Sequence, residues 1–270
     1  MSTNFPNVPL TLEGASVLHQ MLRVDWPAWN ALAPARRAAL IDELSRWLAS
    51  QAGSAAFGMV GHKGDLMLVH YRKDFAELLE AQRSIQRLGV GPYLTANTSY
   101  LSVVELGLYE STRKIVDDLQ AKGLQPGTEE WDKAVEETLD RQRTAMRGRL
   151  WPEIPDTKYV CFYPMDRRRG EDKNWYTIPF ADRQRMMHEH GLVGRKYGGL
   201  VKQIISGSIG FDDWEWGVDL FAEDALWFKR LIYEMRFDEV SAVYALFGAF
   251  YIGVRLKGEE LSSFFQPENA

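Results

Sequence analysis

The chain has 270 residues, enough for one large domain or two small ones around a substantial core. Apolar residues make up 46% and charged residues 26%, which excludes a mostly disordered or collagen-like chain. With 32 Lys and Arg against 37 Asp and Glu, the net charge is −5, too mildly acidic for nucleic acid to be the main partner.

A single cysteine, Cys161, excludes an internal disulfide or a cysteine-only metal site and fits a reducing compartment. The opening MSTNFPNVPL has neither a basic n-region nor an apolar h-region. No run approaches the roughly 18 apolar residues of a membrane span, so a cytoplasmic protein is expected.

In chain order, Ala15–Val24 alternates as a strand, and Asp25 before Trp26-Pro27 marks a helix start. Leu32, Ala39, Leu40, Leu44, Trp47 and Leu48 then recur at helical spacing as far as about Gln51. Two short strands, Ala55–Val60 and Asp65–Tyr71, flank the hairpin signal Gly61-His62-Lys63-Gly64. A helix over Lys73–Leu88 and a strand over Thr95–Leu106 complete the order β-α-β-β-α-β. From Glu110 to Arg149 the sequence is charged and helix-compatible, broken by Gly123 and Pro126-Gly127, and reads as a linker.

The same order then returns. Lys158–Met165 reads as a strand and Phe180–Arg195 as a helix. Leu200–Ser208 and Trp214–Phe221 form a strand pair, followed by a helix over Glu223–Glu234 and a strand over Phe247–Leu256. The expected fold class is α+β: two ferredoxin-like halves whose antiparallel sheets pack into a barrel-like core. The expected divisions are residues 1–107, a helical linker or insertion at 108–150, and a second half at 151–270 that carries the chemistry.

That second half concentrates the unusual residues. Alternation puts Tyr159, Cys161, Tyr163 and Met165 on one strand face. His190 follows Met186 by four residues and Met187 by three, on their apolar stripe, while His188 points about 200° away. A lone imidazole in that setting is either a satisfied core group or an axial heme ligand. Gln203 shares a face with Val201 and Ile205, so it either bonds to backbone or faces a ligand. The run Asp166-Arg167-Arg168-Arg169 would ordinarily be a solvated loop, yet it follows directly on the Tyr163 strand. Its arginines, and Arg149 before Trp151-Pro152, are candidates for a phosphate or carboxylate. There is no Walker loop, no GxGxxG after a strand and no GxSxG, which leaves nucleotide binding and serine hydrolysis without support.

Several longer stretches are distinctive. They include Tyr163-Pro164-Met165, Asn174-Trp175-Tyr176, His190-Gly191-Leu192-Val193-Gly194-Arg195, Val201-Lys202-Gln203-Ile204-Ile205, the run from Gly207 to Gly217, and Tyr233-Glu234-Met235-Arg236-Phe237-Asp238-Glu239-Val240-Ser241-Ala242. Together with Val8-Pro9-Leu10-Thr11-Leu12-Glu13-Gly14 and Leu18-His19-Gln20-Met21, they resemble the coproheme decarboxylases of the chlorite dismutase superfamily. Only about residues 108–147 look foreign to that pattern.

The resemblance implies a homopentamer with one heme site per subunit in the C-terminal half. It implies use of hydrogen peroxide to turn two propionates of iron coproporphyrin III (coproheme) into vinyls, releasing carbon dioxide and giving heme b through a three-propionate intermediate. It also places the protein in heme biosynthesis, with transient contact to the preceding ferrochelatase as an open expectation. By position, His190 would be the iron ligand and Tyr163 the tyrosine oxidised to a radical. Gln203 stands where chlorite-degrading relatives carry arginine, which argues against chlorite dismutation. Arg149 and Ser241 match propionate-binding positions, and Met165 and Trp175 line the same region. Arg167 stands where the family usually has a lysine assigned to the second decarboxylation. Arginine can hold a propionate but is a far poorer proton shuttle. The alternatives are a heme-binding or heme-delivery protein and a peroxidase of the same fold.

Overall fold

The structure is a computed structural model and describes residues 7–266. Strand β1 (Thr11–Val24) leads through Asp25, whose carboxylate accepts from the Ala28 N–H at 3.0 Å, into the short helix α1 (Trp26–Asn30). A separate helix α2 (Pro34–Ser50) follows. One helix was expected here and two are found. Pro34 has no N–H to donate and forces Ala33 into an extended conformation, so the helix restarts at that point.

Strands β2 (Ser54–Val60) and β3 (Leu66–Arg72), helix α3 (Phe75–Gln86) and strand β4 (Leu94–Gly107) complete the first half. The expected linker is largely helical: α4 (Tyr109–Ala121), α5 (Glu129–Ala145) and α6 (Arg147–Leu150). Ile115, Val116, Leu119 and Trp131 bury one another between α4 and α5. Thr128 caps α5, and Glu129, Glu130 and Asp132 lie in its positive first turn.

The second half runs β5 (Tyr159–Arg167), α7 (Phe180–Lys196), β6 (Lys202–Gly207), β7 (Trp216–Ala222), α8 (Leu226–Met235), β8 (Ala245–Phe247) and β9 (Tyr251–Leu256). The expected last strand is split in two. β8 pairs with β5 at Met165–Arg167 and β9 pairs with it at Tyr159–Phe162. The break falls opposite Tyr163-Pro164, where proline has no N–H for a continuous ladder. A helix that periodicity missed, α9 (Glu259–Phe265), crosses back to the first half, where Leu261 and Phe265 are buried and the Phe265 carbonyl accepts from the Trp29 indole.

All strands are antiparallel and belong to one α+β sheet. In each half the spatial order is fourth, first, third, second strand: β4-β1-β3-β2 and β9-β5-β7-β6. The halves join edge to edge through β2–β9 and β4–β6, so eight strands close into a ring and β8 extends the end of β5. Closure leaves few strand edges exposed. It also divides the side chains by alternation into an inner and an outer set.

The inner face is solid. Val17, Met21, Phe57, Met67, Val69, Tyr100, Val160, Phe162 and Phe221 fill it. Gly217 and Gly253 are required there, because a Cβ at either would fall 2.7 Å from the Tyr100 ring or from Phe57 Cβ. Within this core Asp219 joins the halves: one carboxylate oxygen lies 2.8 Å from His19 Nε2 and the other accepts from the Tyr71 hydroxyl at 3.2 Å. The His19 ring stacks on Phe162. Helices cover the outer face, with α2, α3 and α9 over the first half and α7 and α8 over the second.

His70 faces outward from β3, buried beneath the Trp47 ring and held between Ser54 and Gln20. Burial, reinforced by Arg72 and His19, lowers its pKa to about 3. Between about pH 6 and 4 the unfolded chain therefore takes up a proton at this position that the folded chain refuses. Stability should fall with acidification across that window, by about 1 kcal/mol per pH unit from this group alone. Urea denaturation at several pH values should show a shallower dependence for His70→Gln; equal slopes in the two proteins would exclude His70 as the source.

Candidate functional site

Strand β5 presents Tyr159, Cys161, Tyr163, Met165 and Arg167 to the outer face by alternation. There Cys161, Tyr163 and Met165 join Val201, Val218, Leu220, Phe228, Leu231 and Met235 in the layer beneath α7 and α8. Tyr163 is buried, with its ring stacked on Phe250 at 4.7 Å between centroids and tilted against Phe247 at 5.7 Å. Burial pushes its phenol pKa well up, so it stays protonated.

His190 lies on α7, half-buried, with Nδ1 2.8 Å from Asp238 Oδ2. Burial works against the charge of Asp238, but the His190 hydrogen bond and the Ser241 backbone N–H hold its carboxyl below the usual carboxylate range. An ionised carboxylate only accepts, so Nδ1 carries the hydrogen of this bond and Nε2 is the ring nitrogen left for a ligand. Ser241 is buried in the π-helical turn Val240–Tyr244 that closes this corner, its Oγ 3.5 Å from His190 Nδ1. His188 instead meets Glu110 on α4 at the exposed surface, so the two histidines face apart.

Arg167 is the outlier. It is 8% exposed, yet Nη1 is buried with no hydrogen-bond acceptor among the described residues. Nη2 reaches only the Met187 sulfur at 3.6 Å, and the guanidinium lies 5.2 Å from the buried Trp175 ring centroid. Desolvation lowers its pKa, opposed by Tyr109, Asp238, Tyr176 and Tyr163 nearby. Its main-chain N–H is fixed by the buried Glu215, which also accepts from the Tyr176 hydroxyl at 2.7 Å.

Tyr163, Met165, Arg167, Trp175, His190 and Ser241 thus come from β5, the turn before α7, α7 itself and the π-helical turn to a single side of the sheet. Two expected residues stand differently. Gln203 faces α7, but its amide donates to the Gly194 carbonyl at 3.3 Å. Arg149 is exposed on α6, its side-chain neighbour being Met146 Sδ at 4.0 Å. Among the described residues no group of three or more His, Cys, Asp or Glu is placed to hold a metal ion.

The sequence profile of the chlorite dismutase family matches residues 36–256. The chain belongs to the chlorite dismutase family. It is 40% identical to a solved heme-binding protein from Thermus thermophilus, covering 96% of this chain and 98% of that one with a TM-score of 0.80. It is 39% identical over 96% of its length to a protein of Natronomonas pharaonis named as a candidate heme-binding protein, and spans 42% of that longer relative. A chlorite dismutase variant from Candidatus Nitrospira defluvii shares the fold at 17% identity, with a TM-score of 0.69 over 94% of this chain and 96% of that one.

Within this family member, sequence reasoning missed Asp238 and Glu215. Both lie in quoted motifs, but their partners are 48 and 39 residues away for His190 and Tyr176. Only a fold places them. The depressed Asp238 pKa means that its contribution to stability is complete above the ordinary carboxylate range, near pH 4, and is lost as pH falls through the folded value. Asp238→Asn should therefore be less stable than the parent at pH 7 and should lose less on acidification below about pH 4. Denaturant midpoints at both pH values check this, and parallel losses in the two proteins would contradict it.

Proposed function

We propose that this protein binds iron coproporphyrin III in the layer between the outer face of β5, β6 and β7 and the helices α7 and α8, and that it uses hydrogen peroxide to decarboxylate two propionates, giving heme b. The single observation that carries this reading is Arg167, a buried guanidinium with an unpaired N–H on the same strand face as the Tyr163 phenol. Buried charges are paired in stable proteins, and a carboxylate arm is the partner this one lacks. The heme-binding names of the Thermus and Natronomonas relatives support the same ligand class.

His190, oriented by Asp238, would hold the iron through Nε2. When bound, the iron tetrapyrrole would supply activation of peroxide. Arg167 would grip one carboxylate, with Trp175, Met165 and Ser241 lining the macrocycle. Each decarboxylation removes one side-chain hydrogen and a carboxylate as carbon dioxide, two electrons in all, and one hydrogen peroxide accepts them as it becomes water. Tyr163 suits hydrogen abstraction because burial keeps its O–H intact, so electron and proton leave together. Gln203 carries no charge to retain an anionic oxidant, which disfavours chlorite as substrate.

Arg167 bears on the second step as well. A guanidinium does not release its proton at accessible pH, so proton shuttling there is poor. Stepwise peroxide addition to the coproheme-loaded protein, followed by mass spectrometry, should show the three-propionate species accumulating before heme b. Tyr163→Phe should bind coproheme and leave all four propionates intact. Bleaching of the macrocycle without carbon dioxide release would instead favour a heme-binding or heme-delivery role, which a shuttle-deficient Arg167 also fits.

A further inference from the structure

A second buried arginine lies on the same helix as His190. Arg183 precedes His190 by seven residues, within about 20° of two full helical turns, so Arg183, Met187 and His190 form one stripe with the guanidinium stem roughly 10 Å along the axis from the imidazole. Arg183 is 4% exposed, more enclosed than Arg167. Its Nη2 donates to the main-chain oxygen of Asn7 and, at 2.8 Å, to that residue's side-chain oxygen, while Nε is buried with no acceptor among the described residues.

Both guanidiniums lie on one aromatic cluster, Arg167 over Trp175 and Arg183 over Phe180, two rings that each contact Tyr109. Arg167 reaches the Met187 sulfur in the middle of the α7 stripe, and both arginines favour the ionised form of Tyr109 at the start of α4. Trp175 lies under Arg167 at 5.2 Å and Phe180 beside Arg183 at 5.8 Å. The side-chain hydrogen-bond partners of the pair are a thioether and an asparagine, with no carboxylate among the described residues. One unpaired buried N–H is an isolated cost. Two of them, on guanidiniums set over one aromatic cluster, suit anionic groups on a flat apolar body.

We infer that Arg183 is a second carboxylate-binding residue of this site, acting beside Arg167 so that carboxylate arms at the α4 edge of the ligand are held by two guanidiniums; this rests on the tetrapyrrole reading above. Nε–H of Arg183 and Nη1–H of Arg167 each donate to a carboxylate oxygen. The spacing along α7 matches a ligand centred over His190 with its acidic arms extending toward the N-terminal end of the helix. The site thereby selects for carboxylates at that edge as well as for the macrocycle.

The test uses the full chain and two metal-free probes, coproporphyrin and its tetramethyl ester, titrated by fluorescence quenching. The parent should prefer the free acid. Arg183→Gln should weaken free-acid binding about tenfold or more and leave the ester unchanged, and Arg183→Lys should fall between the two. An Arg183→Gln protein that keeps the parent's preference for the acid, or loses acid and ester equally, overturns the role of Arg183 while leaving the tetrapyrrole reading intact. A parent chain that binds neither probe overturns both. Should Arg183→Gln fail to fold, Arg183→Lys decides alone, and an unchanged free-acid affinity in it rejects the assignment.

Discussion

Closure of eight strands into one ring constrains everything else in the molecule. Two four-stranded units, each with the order fourth, first, third, second, are joined by β2–β9 and β4–β6, and every interior position is then committed to packing. Among the polar residues inside, Asp219 bridges His19 Nε2 and the Tyr71 hydroxyl across the halves, while His19 Nδ1 has no partner among the described residues. A ring this full, with glycines where Tyr100 and Phe57 press closest, leaves no interior room for a ligand. On the proposed reading the chemistry sits on the outer face, between sheet and helices, where β5 presents Tyr163 and Arg167.

That layer runs against the usual rule for buried charge. Desolvating a guanidinium costs several kcal/mol, which a partner normally offsets. Elsewhere in the chain the rule holds: Arg72 spreads its N–H groups over backbone carbonyls, Gln51 and Ser54. Beneath α7 it does not, since among the described residues Arg167 Nη1 and Arg183 Nε both lack acceptors. The surrounding structure tolerates this because Glu215 pins the Arg167 backbone and Asn7 takes Arg183 Nη2. Fold energy is thus spent holding two donors in place, the expected signature of a site completed by an anion.

Much of this frame was legible from pattern. Period-two alternation put Tyr163 and Met165 together, and the spacing of Met186, Met187 and His190 turned the two histidines apart, as their separate partners Glu110 and Asp238 now bear out. The misreadings have local causes. Pro34 interrupts a helix whose apolar spacing is continuous, and Pro164 interrupts a ladder whose β-propensity is continuous. What pattern could not supply is partnership over long separations: His19 with Asp219 across 200 residues, and Arg183 with Asn7 across 176. Arg167 shows the limit most clearly. A run of arginines reads as solvated, and whether its first member turns inward is decided by strand register, which put it on the same face as Tyr163.

The duplicated unit explains why one half alone carries the candidate site. Equivalent strands and helices cover both outer faces, and in the first half α2 presents Leu40, Ile41 and Leu44, which fill the layer against Leu66, Leu68 and Ala56. Its buried polar group there, His70, is satisfied on both ring nitrogens and kept neutral. In the second half the corresponding helix α7 presents Arg183, Met187 and His190 instead, an unbranched thioether between two groups that can bind. One backbone arrangement thus carries an aliphatic helix face in one half and, in the other, a face with a guanidinium, a thioether and an imidazole. The difference between the halves lies in the side chains of a single helical stripe and of the strand end facing it.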